Sequence, residues 1–232
     1  VTVVIQSCVY AILASGFVVI YRSSRILNFA YADVVMVTGY FAVSLSSLMT
    51  GHPILSIATV LALSFVFGFV IYGLLIKPMA GQPIFSTIIL TVALGIVLQA
   101  FAVIIWRGEL ESIPIGWRGY YTLIEGVRVS STEIVIVVTT VLFFSCLFSF
   151  YRFSKIGQQM RATAENPLLA AQRGINIYFV MAVAWAIGMF ATGVASILIG
   201  SNYTVSLYMG KVAVKAFSVA LVGGLDSIRG IL

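Results

Sequence analysis

Ile26–Met49 reads ILNFAYADVVMVTGYFAVSLSSLM. A bilayer core about 30 Å thick needs about 20 helical residues, and an apolar run extends from 28 to 50. Asp33 stands inside it. An acid deep in a span costs roughly 2.5–3.5 kcal/mol on insertion scales, so its position needs a structural reason. Aspartate is a good helix N-cap. Capping a helix that starts at Val34 would leave the preceding segment irregular and give a broken helix, the kind that builds transporter sites. The plainer reading is an acid capping a late helix near the interface. Asn28 has two readings as well: it lines a path, or it only satisfies neighbouring backbone.

The rest of the chain sets this stretch in a membrane. Of 232 residues, 61% are hydrophobic and 9% charged, against about 25% charged in soluble domains, and the mean hydropathy is +1.13. Such a chain cannot cover a globule with polar surface. The net charge is +6, which the positive-inside rule explains better than nucleic-acid binding, since no basic patch interleaves with aromatics. Cys8 and Cys146 lie in apolar runs and read as small hydrophobes. His52, in a GHP turn, has no metal-ligand spacing around it. The sequence carries no phosphate-binding loop, no Ser/His/Asp set and no paired catalytic carboxylates, so it does not read as an enzyme. The first residue is Val and no charged region precedes the first apolar run, so no signal peptide is read.

Apolar runs of spanning length lie at 1–20, 28–50, 53–76, 84–106, 132–151 and 178–200, with a shorter one at 209–224. They lack the alternation of a barrel, so the expected fold class is all-α: a polytopic transmembrane helical bundle with interrupted or half helices. Alternation of the spans puts links 21–27, 77–83 and 152–177 on one side. Their lysines and arginines (Arg22, Arg25, Lys77, Arg152, Lys155, Arg161, Arg173) make that side cytoplasmic by the positive-inside rule. The 107–131 loop then faces outward, and Pro114, Gly116, Trp117, Tyr120 and Tyr121 read as an interfacial belt or a docking platform. Gly68, Gly73, Gly95, Gly188 and Gly193 read as sites of close helix packing.

The 209–224 run is too short for a comfortable span. Gly210 and the Gly223–Gly224 pair bracket it, and Lys211 and Lys215 share a face. Lys215 either snorkels to the interface or sits on a half helix along a path. Two interrupted segments, one in each half, point to a midplane site between inverted repeats.

Lys155–Asn176, KIGQQMRATAENPLLAAQRGIN, is the longest polar stretch. Ile156 and Met160 stand four apart, on one helical face. Asn166 precedes Pro167, which keeps it out of the helical region and suits it to N-cap a new helix with Pro at its first position. Gly174 supplies a stop. The spacing predicts a separate helix over 167–173, too short to stand alone in water. Leu168 and Leu169 are its apolar contacts, Gln172 and Arg173 its polar rim. It rests on the membrane surface or is gripped by another protein.

Three stretches carry a resemblance. GQQMRATAENPLLAAQRGIN is similar to the cytoplasmic loop of the branched-chain amino acid type of ABC-transporter permease, through Gly157, Arg161, Ala162, Ala164, Glu165, Ala170 or Ala171, Gly174 and Ile175. ILNFAYADVVMVTGYFA resembles a second motif of that family through Asn28, Phe29, Ala30, Asp33, Met36, Gly39 and Tyr40. VKAFSVALVGGLDSIRG resembles a third through Lys215, Ala216, Phe217, Gly223, Gly224, Ser227, Ile228 and Gly230. The likeness is closer to the LivH-like subunit than to its LivM-like partner. Tyr31 and Ala32 depart from the family's usual His-Gly, Asp226 from a frequent Gly and Arg229 from a frequent Pro. Both ends read as trimmed, and further helices are expected beyond them.

The resemblance implies a single permease domain over 1–232 with a coupling loop at 152–177 and an outer loop at 107–131. It would lie in a bacterial or archaeal inner membrane and form half of the pathway of an importer for branched-chain or other small amino acids. Implied partners are a LivM-like second permease, two ABC ATPase subunits and a periplasmic or extracellular binding protein. The chain itself binds no cofactor, ATP and Mg being held by the ATPases. Arg161, Ala164, Glu165, Asn166, Pro167, Leu168 and Gly174 are the implied coupling residues. Asn28, Asp33, Gly39 and Lys215 are the implied pathway residues. A urea or short-amide permease of the same family is an alternative. An ion-coupled secondary transporter using Asp33 is another.

Overall fold

The computed structural model describes residues 2–49, 51–113, 119–124 and 127–225. The elements in order are α1 (Thr2–Ser24), α2 (Tyr31–Leu48), α3 (Pro53–Ile71), α4 (Ile84–Trp106), β1 (Tyr120–Ile124), β2 (Val127–Ser130), α5 (Ser131–Phe153), α6 (Lys155–Glu165), α7 (Pro167–Gln172), α8 (Ile177–Asn202) and α9 (Gly210–Gly223). Among the described residues six helices are long and apolar enough to cross a membrane. They match the six runs read from the sequence. The fold is an all-α polytopic bundle.

α8 is the central post. It carries the largest share of buried residues, packs against α1, α2 and α3, and holds Trp185 fully buried. Small residues permit the approach, because in lipid helices associate through close packing rather than hydrophobic exclusion. A Cβ on Gly68 of α3 would lie 2.5 Å from Ala186 Cα and 2.6 Å from Trp185 O; one on Gly188 would meet Ile20, and one on Gly193 would meet Ser64. Gly73 differs from the expectation: a Cβ there would meet nothing within 4 Å. It lies in a π-helical turn, Tyr72–Ile76, that ends α3 and is followed by a 3-10 turn at Lys77–Met79.

The ends of the bundle are pinned differently. At the basic end, the Lys77 ammonium lies 5.6 Å from the Tyr178 ring centre and ties α3 to the start of α8. At the other end, Trp106 stacks on Tyr40 with ring centres 5.3 Å apart and donates to Ser44 Oγ at 2.7 Å. The Tyr40 hydroxyl donates to Glu109 O at 3.0 Å. The 107–131 link contains an antiparallel hairpin, β1 with β2, in which Tyr120 pairs with Ser130. Glu133 reaches back to the Ser130 N–H at 2.9 Å and starts α5. Pro114, Gly116 and Trp117, read as part of a belt, lie outside the described residues, as do Asp226, Ser227, Ile228, Arg229 and Gly230.

Two segments break the helical pattern, and they are opposed. After α1, Arg25 takes a left-handed conformation (φ 56°) and donates to Tyr21 O at 2.7 Å. Residues 25–30 then run without helix to α2. α2 begins deep in the bundle. The Tyr31 hydroxyl lies 3.2 Å from Leu13 O and 3.3 Å from Gly188 O, near the middles of α1 and α8. In the other half, residues 203–209 descend from the end of α8. Val205 and Glu111 exchange backbone hydrogen bonds at 3.1 and 2.7 Å, and α9 follows. At 14 residues it is about 21 Å long, short of a bilayer core. The two starts meet: a Cβ on Gly210 would lie 3.1 Å from Ala32 O.

The start of α2 corrects one expectation. Asp33 does not cap a helix beginning at Val34. Ala30 holds the N-cap position and makes no side-chain cap. Asn28 Oδ1 instead accepts the Ala30 N–H at 3.1 Å, and Asn28 O accepts the Tyr31 N–H at 3.4 Å. These bonds let the helix begin three residues early. The Asp33 carboxylate is then free to reach sideways.

Candidate functional site: the junction of two broken helices

Asp33 accepts a hydrogen bond through Oδ1 from Gln99 Nε2 of α4 at 2.7 Å. Gly95, one turn before Gln99, gives the carboxylate room; a Cβ there would collide with it. One more turn back, Thr91 Oγ1 accepts the Phe29 N–H at 3.3 Å. Thr91, Gly95 and Gln99 recur every fourth residue, so one stripe of α4 serves the whole start of α2. Gln99 is exposed on a helix otherwise clothed in Ile, Val, Leu and Phe. Among the described residues no lysine or arginine pairs with Asp33. An acid–amide pair at mid-bundle, open on one side, does not suit contact with lipid tails.

On the other side of the junction, α9 packs on α1 and α2 and buries Ala213, Ala216 and Ala220. Phe217 reaches toward the break, with ring centres 5.3 Å from Phe17 and 6.4 Å from Phe29. Between them is a cavity of about 90 Å³ bounded also by Leu27, Asn28, Ala32 and Val214. Asn28 is 2% exposed, and its Nδ2 is buried without a partner. The start of α2 thus meets α4 through Phe29 and Asp33 and α9 through Ala32.

The sequence-predicted residues divide. Asn28 and Asp33 meet at this junction. Gly39 lies further along α2, where a Cβ would be 2.9 Å from Met209 Sδ and 3.2 Å from Val205 Cγ1; its place is against the descending 203–209 segment. Lys215 is exposed on α9, on the face turned from the buried alanines. Gln99 and Thr91 were not singled out from the sequence. Their signal was the four-residue stripe in α4, which means little until α2 is known to lie against it.

At the basic end, Ser154 Oγ accepts the Gly157 N–H at 2.8 Å and starts α6. Gly157 presses on α5, where a Cβ would be 2.8 Å from Tyr151 Cα. Met160 and Thr163 are buried beneath α6. Ala164 and Glu165 close it, and Arg161 lies on its half-buried flank. Asn166 Oδ1 accepts the Leu169 N–H at 3.1 Å and Pro167 opens α7. Gly174 (φ 80°) ends it: its N–H donates to Ala171 O at 2.9 Å and the Ile175 N–H to Ala170 O at 3.1 Å. This is a Schellman stop. Ala170 is buried, while Leu168 and Leu169 are 69% and 56% exposed. A six-residue helix clamped at both ends thus turns two leucines outward.

The whole chain, residues 1–232, matches the family model described as the branched-chain amino acid transport system permease component. The chain belongs to this permease family. The permease is 29% identical to the high-affinity branched-chain amino acid transport system permease protein BraD of Pseudomonas aeruginosa, over 95% of this chain and 76% of that protein. It is 28% identical to LivH of Escherichia coli K12, named as the same kind of permease protein, with the same coverage. No solved structure matches it. It is a multi-pass membrane protein and a transport component, not an enzyme.

Proposed function

We propose that the permease forms one half of the translocation pathway of an ATP-driven importer for branched-chain or other small amino acids. It works with a LivM-like second permease, two ABC ATPase subunits and a periplasmic or extracellular binding protein in a bacterial or archaeal inner membrane. ATP and Mg sit on the ATPases. The observation that carries this reading is α7. A helix this short does not persist in water unaided, yet Asn166 and Gly174 fix it with Leu168 and Leu169 facing out. Such a face suits a groove on a cytoplasmic partner. α6, which carries the coupling residues Arg161, Ala164 and Glu165, packs on α5 and α8, so force on α7 reaches the membrane helices. A self-sufficient ion-coupled transporter has no use for such a handle.

The start of α2, where it meets α4 and α9, is the pathway face, closed by the second permease. Binding protein delivers substrate at the outer end, and ATPase closure moves α6–α7. The test is purification of the intact complex in mild detergent, with mass spectrometry of what accompanies the permease. An ABC ATPase should accompany the wild type and be lost from Leu168→Asp, while the second permease stays bound. No ATPase with either protein would overturn the coupling reading.

A further inference from the structure

Asp33 is a carboxylate in a span, and among the described residues no cation answers it. It accepts from Gln99 Nε2 at 2.7 Å, whereas a carboxylate has room for about four hydrogen bonds. The two lysines of α9 are engaged elsewhere or turned outward: Lys211 lies over the Tyr208 ring, 4.4 Å from its centre, and Lys215 is exposed. An acid in this state inside a membrane marks a site whose partner arrives from outside the bundle.

The neighbouring groups choose that partner. Asp33 is half-buried and Gln99 exposed, so the pair opens to one side. Gly95 keeps the carboxylate clear, since a Cβ there would collide with Oδ2. Gln99 uses Nε2 on Asp33, which leaves its acceptor, Oε1, beside the carboxylate. Thr91, two turns before Gln99, is occupied: its Oγ1 accepts the Phe29 N–H at 3.3 Å and donates to Ile88 O at 2.8 Å. The open groups are therefore acceptors, and one carries charge. They suit a cationic donor. An ammonium has three N–H donors and no acceptor. A hard metal cation takes about six or more oxygen ligands, and among the described residues no group of three His, Cys, Asp or Glu side chains could hold one. The depth agrees, because α2 begins at mid-bundle beside a helix break, where transporter substrates bind.

Resting on the amino-acid reading above, we infer that the Asp33–Gln99 pair is the substrate-ammonium subsite. The ammonium of a small amino acid donates to the Asp33 carboxylate and to Gln99 Oε1.

The test uses the assembled transporter in nanodiscs, with Cys8 and Cys146 replaced by serine. Ile96→Cys is the reporter: it is 64% exposed and stands three residues before Gln99, on a neighbouring part of the same helix face. Alkylation of this cysteine by N-ethylmaleimide is followed by mass spectrometry of the permease. It is timed with L-leucine, with isopentylamine, which lacks the carboxylate, and with 4-methylpentanoate, which lacks the ammonium. Leucine and isopentylamine should slow alkylation. The half-protecting concentration of 4-methylpentanoate should be about tenfold or more above that of isopentylamine, as loss of a charge-assisted bond predicts. Asp33→Asn should abolish protection by the amine while the complex still assembles; the comparison of compounds on the unmutated Asp33 needs no variant there. Equal protection by 4-methylpentanoate, undiminished protection in Asp33→Asn, or the same slowing at Leu142→Cys of α5 would overturn the assignment. So would absence of protection by leucine in a preparation that imports leucine once placed in liposomes, the result expected if a lysine or arginine of the second permease already pairs with Asp33. A preparation that neither is protected by nor imports leucine overturns the amino-acid reading and the subsite with it.

Discussion

A methyl group at position 68 would enter the backbone of α8, since its carbon would lie 2.5 Å from Ala186 Cα. Backbone cannot rotate away as a side chain can. Gly68→Val should therefore push α3 off α8 at an overpacking cost of about 1–3 kcal/mol, seen as a melting temperature lowered by several degrees in detergent. Gly73→Val, with open space around it, should change it far less. The sequence named both glycines alike, because composition shows that a residue is small and not what faces it. Asp33 teaches the same lesson. Its presence in a span was legible, and so was a break in the helix beside it. Its partner was not, because Gln99 stands 66 positions away and only the bundle brings them together. Asp33→Asn should lower substrate uptake by about tenfold or more with assembly intact, since a functional acid in a span is replaced at equal size. Gln99→Leu should lower uptake in the same direction by removing the group that holds the carboxylate. Uptake at the wild-type rate in both variants would remove Asp33 from the pathway.

Among the elements, α7 was the most legible. Asn-Pro at its start and Gly at its end are local signals with local physics, and the expected 167–173 appears as Pro167–Gln172 with Arg173 at its C-cap. Asn166→Ala removes the bond to the Leu169 N–H and should destabilise the helix by about 1 kcal/mol. Hydrogen exchange would show it as faster exchange at Leu169 and Ala170, with the six spans unaffected. α9 was also foreseen, because glycines bracket a run too short to cross. The hairpin β1–β2 and the π turn at Tyr72–Ile76 were not. A π turn closes each hydrogen bond one residue further along than an α-helix and leaves no mark in hydropathy. The hairpin strands are short, and their pairing depends on a link whose composition reads only as interfacial.

At the scale of the whole molecule, the breaks matter as a pair. The 25–30 segment enters from the basic end and hands over to α2, which runs away from it. The 203–209 segment enters from the opposite end and hands over to α9, which runs the other way. Each half element alone would leave backbone unsatisfied in lipid; together they place that backbone inside protein, where irregular chain is tolerated. The sequence suggested opposed halves through its two interrupted runs, but not that the helix starts touch at Ala32 and Gly210. On the proposed function, the start of α2 where it meets α4 and α9 faces a pathway and not lipid. Single cysteines in a background without Cys8 and Cys146 test it directly. Val92 lies on the same face of α4 as Gln99, seven residues before it, and Ser218 is exposed on α9; Leu142 is exposed on α5. A membrane-impermeant thiol reagent, applied to the assembled transporter during ATP turnover, should modify Val92→Cys and Ser218→Cys and leave Leu142→Cys untouched. Labelling of the first two no faster than of Leu142→Cys would contradict the account.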